Sequence, residues 1–280
     1  MKSLSRGKVI LIGAGPGDAE LITLKAVRYL QQADVVLTDR LVNQEILDTH
    51  VPSYAKIIFV GKEGCNQGES VSQKEINNLL VRYAVAGNTV VRLKGGDVAF
   101  FSNVLDELAI LQSSGISYEI VPGITAAAGA SAYAGIPLTA RGYARGVRFL
   151  TYSSRTVYTA EYWKELAGTE DTLVFYMAGE TWYDLATHFM ENNVSTEKEL
   201  AIIQQATTPV QQVFIHKFNE LCKGGKPQQS YISPSIVIIG KVVGLHETYS
   251  WWDTLAGTEP FFRSASRKAV EVINENKLSA

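Results

Sequence analysis

Short apolar runs, each closed by glycine or a polar residue, recur along the chain with stretches of helical spacing between them. KVILIGAG from residue 8, DVVLTD at 34–39, KIIFVGK at 56–62, TVVRLKGGD at 89–97 and SYEIVPG at 117–123 form a first set. Helical spacing fills 19–32, a stretch near 41–49, 72–86 and 103–114 between them. Runs of this length, rich in Val and Ile and bounded by turn residues, predict strands. Strands alternating with helices predict a parallel or mixed sheet with helices on its faces. After GIPLTARGYARG the pattern restarts with VRFLTYS (147–153), TLVFYMAG (172–179), ELAIIQQATTP (199–209), QQVFIHKF (211–218) and SIVIIGKVVGL (235–245). The chain of 280 residues therefore reads as two α/β domains, 1–140 and 141–246, each long enough for its own core. A tail, 247–280, carries Trp251, Trp252, Phe261 and Phe262 without strand pattern. It is expected to pack on its own chain, with cover for a partner subunit as the alternative.

Composition narrows the function classes. Hydrophobic residues make up 46% and charged residues 19%, with a formal net charge of -2, so nothing draws the chain as a whole to nucleic acid. Cys65 and Cys222 have no C-x-x-C partner, and His50, His188, His216 and His246 are scattered, so neither a disulfide framework nor a metal site is expected. No apolar stretch approaches the ~20 residues of a membrane span, and the N-terminus runs into its first strand without a signal-peptide pattern. The expected location is the cytoplasm, with no membrane partner.

In α/β sheets ligands sit beyond the carboxyl ends of the strands, and four such ends are marked: GAGPGD (13–18), TDRL (38–41), LKGGD (93–97) and PGITAAAG (122–129). Gly13 and Gly15 fit a dinucleotide fingerprint, but the third glycine position holds Asp18. A carboxylate at a first helical turn caps the turn and repels a phosphate from the same amides. The turn thus points to a ligand without phosphate, or to a tight connection that binds nothing. Two glycine turns ending on Asp18 and Asp97 suggest backbone crowded around a small polar ligand bearing an amine or hydroxyls. Asp39 is either a site acid or the N-cap of a helix at 40–49, and Lys62 either a site cation or a solvated lysine. From Ile120 to Ala160 there is no Asp or Glu, while Arg141, Arg145, Arg148 and Arg155 all fall there. Planar guanidinium forks suit a substrate with several carboxylates; the alternative is a solvated domain junction.

Taken in order, GAGPGD, ADVVLTDRLV, VVRLKGGD, VPGITAAAGASAYAGIPLT, TLVFYM, QATTPVQQ and SPSIVIIGKVV resemble the tetrapyrrole methylases over about residues 7–245. The resemblance implies the fold of that family: two α/β domains with a cofactor cleft between them, in a homodimer. It implies S-adenosylmethionine as cofactor, with S-adenosylhomocysteine as its product. The implied reaction is methylation of two carbons of uroporphyrinogen III to precorrin-2, on the route to sirohaem and cobalamin. Position by position it places Pro16, Gly95, Gly96, Asp97, Phe100, Thr125, Ala126, Met177 and Ala206 around the cofactor. Asp39 and Lys62 become the acid-base pair, Asp39 accepting a proton and Lys62 donating one or holding a substrate carboxylate. Arg141 and Arg145 are then expected to bind the polycarboxylate, and no metal is required.

Three stretches depart from the family pattern. VAFFSNVLDEL follows LKGGD in place of a proline and a glycine-arginine-glycine run, Ala140 stands where a histidine is expected after PLT, and TYS (151–153) replaces TGH. All three concern the tetrapyrrole side. A methylase of the same fold acting on a later precorrin or another acceptor is therefore the alternative. A binding module without turnover is opposed by Asp39 and Lys62, and an NAD-dependent oxidoreductase by Asp18.

Overall fold

A computed structural model describes residues 7–61, 71–153, 155, 157–228, 230–253, 260–262 and 271–273. They form two compact units, one running to Thr125 and resuming at Phe262, the other spanning Ala126–Phe261.

The first unit holds β1 (Lys8–Gly13), β2 (Val35–Thr38), β3 (Lys56–Phe59), β4 (Thr89–Lys94) and β5 (Ser117–Val121), parallel in the order β3-β2-β4-β1-β5. Alternate side chains go to opposite faces. Val9, Leu11, Leu37 and Val90 pack beneath α3 (Gln73–Val85) and α4 (Val104–Ser113), which contribute Ile76, Leu80 and Leu111. Ile10, Ile12, Val36 and Val91 pack beneath α1 (Leu24–Leu30) and α2 (Gln44–His50), which contribute Ala26, Leu30, Ile46 and Leu47. Burial on both faces explains why these strands read as continuous apolar runs. The stretch 19–32 is not one helix: Asp18 caps a 3-10 turn, Ala19–Leu21, by accepting from the Glu20 N–H at 2.9 Å, and Thr23 then caps α1. The tail does contain a strand. Glu271–Ile273 pairs antiparallel with β3, Val272 opposite Ile58, and so covers that edge of the sheet.

The second unit holds α5 (Ala126–Tyr133), β6 (Val147–Thr151), α6 (Ala160–Gly168), β7 (Thr172–Tyr176), α7 (Trp182–Glu191), β8 (Glu199–Gln204), β9 (Gln212–Lys217), α8 (Phe218–Gly224) and β10 (Ser235–Gly240). Its sheet runs β6-β7-β10-β8-β9, with β6 and β7 parallel and the other pairs antiparallel. The unit begins ahead of residue 141 because Ala127 and Ala130 of α5, with Ala134 just beyond its end, bury against Val174, Ala201 and Ile238 of this sheet. The small side chains of TAAAG hide that helix from a reading based on apolar periodicity. Trp251 and Trp252 contact Tyr133, and the Trp251 indole N–H donates to the Ala132 carbonyl at 2.8 Å.

His216 stacks on Trp182 at 4.7 Å and shares a 2.7 Å hydrogen bond with the Tyr231 hydroxyl. Burial holds its imidazole below the usual histidine range, against a weaker opposite pull from Glu220. A lowered folded value means that the unfolded chain takes up the proton first. Stability is therefore complete above the unfolded value near 6.5 and is lost as pH falls through the window below it. All four tryptophans lie in this unit, so their fluorescence follows its unfolding alone. Between about pH 7 and about pH 5 the urea midpoint is expected to fall in the parent and to fall less in His216→Phe; identical slopes would exclude His216 as a source.

Candidate functional site

Three strand ends of the first unit interlock through bare backbone. The Gly15 N–H donates to the Gly96 carbonyl at 3.0 Å, and the Gly96 N–H returns a bond to Gly15 at 2.8 Å. A Cβ on Gly13 would stand 2.6 Å from the Gly96 oxygen and 2.7 Å from the Gly123 nitrogen, and one on Gly123 would stand 2.4 Å from the Gly96 oxygen. Gly95 admits Leu41 in the same way, with 2.9 Å from a Cβ position to the Leu41 Cβ. The glycines predicted to crowd a ligand thus crowd one another. Asp97, 8% exposed, joins the turns: one carboxylate oxygen accepts from Ala99 N–H and the other from Gly123 N–H, both at 2.8 Å. Asp97→Ala leaves both donors without that acceptor and is expected to lower stability by about 1–3 kcal/mol. Urea denaturation followed by circular dichroism measures it, and an unchanged midpoint would remove Asp97 from the framework.

Beyond the carboxyl ends of β2, β3 and β4 opens a cavity of about 250 Å³, lined among others by Asp39, Arg40, Lys94, Gly95, Phe100 and Asn103. Its wall is built on a charged network within the unit. Arg92, 2% exposed, donates from Nη2 to Asp39 Oδ1 at 2.6 Å and from Nε to Glu107 Oε1 at 3.0 Å. Lys94 Nζ lies 3.2 Å from both Glu107 oxygens, and Glu107 is fully buried on α4. Burial by itself works against the Arg92 cation, yet the charges of Asp39 and Glu107 outweigh it and raise its pKa. Burial, then the nearby Arg92 charge, holds the Lys94 ammonium below the usual lysine range. Asp39 does not cap a helix: Asn43 caps α2, its side chain accepting from Glu45 N–H at 2.9 Å. That removes the N-cap alternative for Asp39, whose side chain is 25% exposed at the cavity wall. The loop following β4 carries two residues with left-handed backbone, Phe101 (φ 50°) and Asn103 (φ 53°). Such strain is concentrated at functional sites.

The other candidates are placed as follows. Pro16 is buried in the turn after β1, while Gly96 and Asp97 belong to the interlock. Thr125 is half-buried at the end of the first unit, and Lys62 lies outside the described residues. In the second unit Ala126 opens α5, whose Ala127 N–H donates to the Tyr176 hydroxyl at 3.2 Å. Met177 follows β7 with φ 60° and a 62% exposed side chain, a strained backbone presenting an apolar group to solvent. Ala206 is buried between Gln205 (φ 51°) and Thr207 (φ 64°), in a turn closed by the Gln211 side chain, which accepts from Thr207 N–H at 2.8 Å. Arg141 and Arg145 are exposed around a tight turn in which Ala140 and Ala144 exchange backbone bonds. Arg148 does not join them: it pairs with Glu165 at 2.5 Å and Asp171 at 2.8 Å, acids from beyond the window that looked uncompensated. The sequence reading missed Arg92, Lys94 and Glu107. The available signal was two cations at alternate positions of a strand otherwise apolar, hence on one buried face.

Residues 8–222 match the sequence profile of the tetrapyrrole (corrin/porphyrin) methylases. A protein named siroheme synthase 2 from Pectobacterium atrosepticum is 45% identical over 88% of this chain and 52% of its own length. A siroheme synthase from Shigella dysenteriae is 44% identical with the same coverage. The chain thus spans about half the length of the curated relatives it matches. Among solved structures, uroporphyrin-III-C-methyltransferase from Thermus thermophilus superposes with TM-score 0.71 at 33% identity, covering 89% of this chain and 98% of that one. The Thermus thermophilus enzyme complexed with S-adenyl homocysteine gives 0.68 at 33% identity, over 85% and 93%.

Proposed function

Because the chain belongs to the tetrapyrrole (corrin/porphyrin) methylases, we propose that it transfers methyl groups from S-adenosylmethionine to two carbons of uroporphyrinogen III, giving precorrin-2. The observation that carries the reading is Asp39, a carboxylate fixed by a buried arginine at the wall of a cavity beyond the strand ends. The names of the Thermus thermophilus structures, with their activity and their bound S-adenyl homocysteine, support it.

The donor chemistry fits this cofactor. The amides of Glu20, Ala99 and Gly123 are occupied by the carboxylates of Asp18 and Asp97, so the glycine turns offer these donors to no pyrophosphate. Phe100 in the first unit and Met177 in the second each expose an apolar group of the kind an adenosyl thioether wants. The cofactor, when bound, supplies an electrophilic methyl on a sulfonium that leaves as a neutral thioether. Pro16, Gly95, Gly96, Phe100, Thr125, Ala126, Met177 and Ala206 would hold it, with Asp97 acting by holding the turns. Asp39 takes the proton that the macrocycle loses after its carbon gains the methyl, and Lys62 gives a proton or holds a substrate carboxylate. Arg141 and Arg145 bind carboxylates of the macrocycle. The chain works as a homodimer in the cytoplasm, which light scattering and cell fractionation check.

S-adenosylhomocysteine at about 100 times its Kd is expected to stabilise the protein by about 2.7 kcal/mol, seen as a rise of several degrees in Tm, and NAD by nothing. Equal stabilisation by NAD would overturn the cofactor assignment. Incubation with labelled S-adenosylmethionine and uroporphyrinogen III is expected to add two methyl groups by mass spectrometry. The altered, strained loop at Phe101 and Asn103 favours one other reading, a later precorrin as acceptor. Binding of S-adenosylhomocysteine without any methyl transfer to uroporphyrinogen III would select it.

A further inference from the structure

We propose that Glu107 is a positioning residue, which acts from inside the core through Arg92 to fix the carboxylate of Asp39 at the cavity wall. The inference rests on the reading of Asp39 as proton acceptor. Asp39 stands just past the end of β2 and its side chain is partly exposed, and the ion pair it makes is with Arg92 of β4, a neighbouring strand. Arg92 supplies the lock, and its donors are assigned in three directions. Nε donates to Glu107 at 3.0 Å, Nη1 to the carbonyls of Leu37 at 3.3 Å and Leu93 at 3.1 Å, and Nη2 to Asp39 at 2.6 Å. A planar guanidinium held at Nε and Nη1 cannot rotate, so Nη2 becomes a fixed donor aimed at one carboxylate oxygen. Among the described residues, the Nε anchor is Glu107.

The burial of Glu107 argues against a role in stability alone. A buried carboxylate with its lysine and arginine is, as a whole cluster, often replaceable by apolar side chains of similar size without loss of stability, because desolvation offsets the attraction, whereas removing the carboxylate alone leaves its cations uncompensated. Two cations and two anions balance in this cluster, Arg92 and Lys94 against Asp39 and Glu107. Only Asp39 and Lys94 among them line the cavity beside Arg92, while Glu107 stays behind the wall. Its helix, α4, begins directly after the strained Asn103, so the same contact ties the cavity loop to β4.

The test is Glu107→Gln in the full chain, which keeps the shape but removes the charge and turns one of the two acceptor oxygens into an amide N–H₂ facing the Lys94 ammonium, so that a single oxygen is left for Arg92 Nε and Lys94 Nζ together. The expected result is a kcat lower on the order of 10- to 100-fold, as for misplacement of a catalytic group, with KM and S-adenosylhomocysteine affinity within about twofold of the parent. Added to Asp39→Asn, the substitution is expected to take nothing further from kcat, since it acts through Asp39. Solvent exchange of the Arg92 Nε–H, read by NMR, is expected to quicken on the order of tenfold. An unchanged kcat, or losses that multiply in the double variant, overturns the inference; so does an unchanged Arg92 exchange rate. Full turnover in Asp39→Asn would sink the acceptor reading alone. The exchange rate then still decides whether Glu107 fixes Arg92, because it needs no methyl transfer. If Glu107→Gln does not fold, Glu107→Leu with Lys94→Met removes one charge of each sign and carries the same expectations.

Discussion

Asp39→Asn is expected to bind S-adenosylhomocysteine with parent affinity and to lose on the order of 100-fold or more in turnover, the usual contribution of a positioned base. The substitution is isosteric, and the amide oxygen of the asparagine can still accept from Arg92 Nη2, which now stands 2.6 Å from Asp39 Oδ1. The hydrogen bond is retained, while the negative charge and with it the capacity to take a proton are removed. No loss of a helix cap is expected either, because Asn43 rather than Asp39 caps α2. Single-turnover methyl transfer beside a calorimetric titration with S-adenosylhomocysteine separates the two effects. Parent-like turnover would remove Asp39 from the chemistry and leave it as the counter-charge of a buried arginine. A parallel loss of cofactor affinity would mean that the cavity wall itself had moved.

What the sequence disclosed about this site and what it hid divide along a physical line. The strand ends were legible because glycine, proline and aspartate mark turns locally, and the functional role of GAGPGD and LKGGD as strand termini follows from their own composition. The partner of each turn was not legible. That Gly13 faces Gly96 and Gly123 depends on β1 lying between β4 and β5, a matter of sheet order that no window of sequence contains. The same holds for charges. Arg92 and Lys94 stood in plain view within TVVRLKGGD and Glu107 within VLDELAIL, but their pairing required α4 to fold back on β4. Arg148 shows the reverse error, a cation counted as available because its acids, Glu165 and Asp171, lay just beyond the window inspected. The strand at Glu271–Ile273 escaped because three residues carry too little periodicity; the exposed edge of β3 supplies what its sequence lacks.

Gly123→Ala tests the interlock of turns directly and is expected to be among the most damaging small substitutions in the chain. The added methyl would meet the Gly96 oxygen at 2.4 Å and the Gly13 carbon and oxygen at 2.7 Å, all of them backbone atoms with no rotamer to yield. Relief requires β5 to part from β1 and β4 at the ends that carry Pro16, Gly95 and Gly96, and it stretches the bond from Gly123 N–H to Asp97. A loss of about 2–4 kcal/mol of stability is expected, the upper range for an overpacked site. S-adenosylhomocysteine affinity is expected to fall on the order of tenfold or more, since the displaced turns are those proposed to hold it. Gly168→Ala serves as control: nothing lies within 4 Å of its Cβ position at the end of α6, and alanine there is expected to be neutral or mildly stabilising. Hydrogen exchange of the β1, β4 and β5 amides beside a calorimetric titration measures both effects. If Gly123→Ala matches the Gly168→Ala control in protection and in affinity, the close approach of the three turns is not what shapes this end of the sheet.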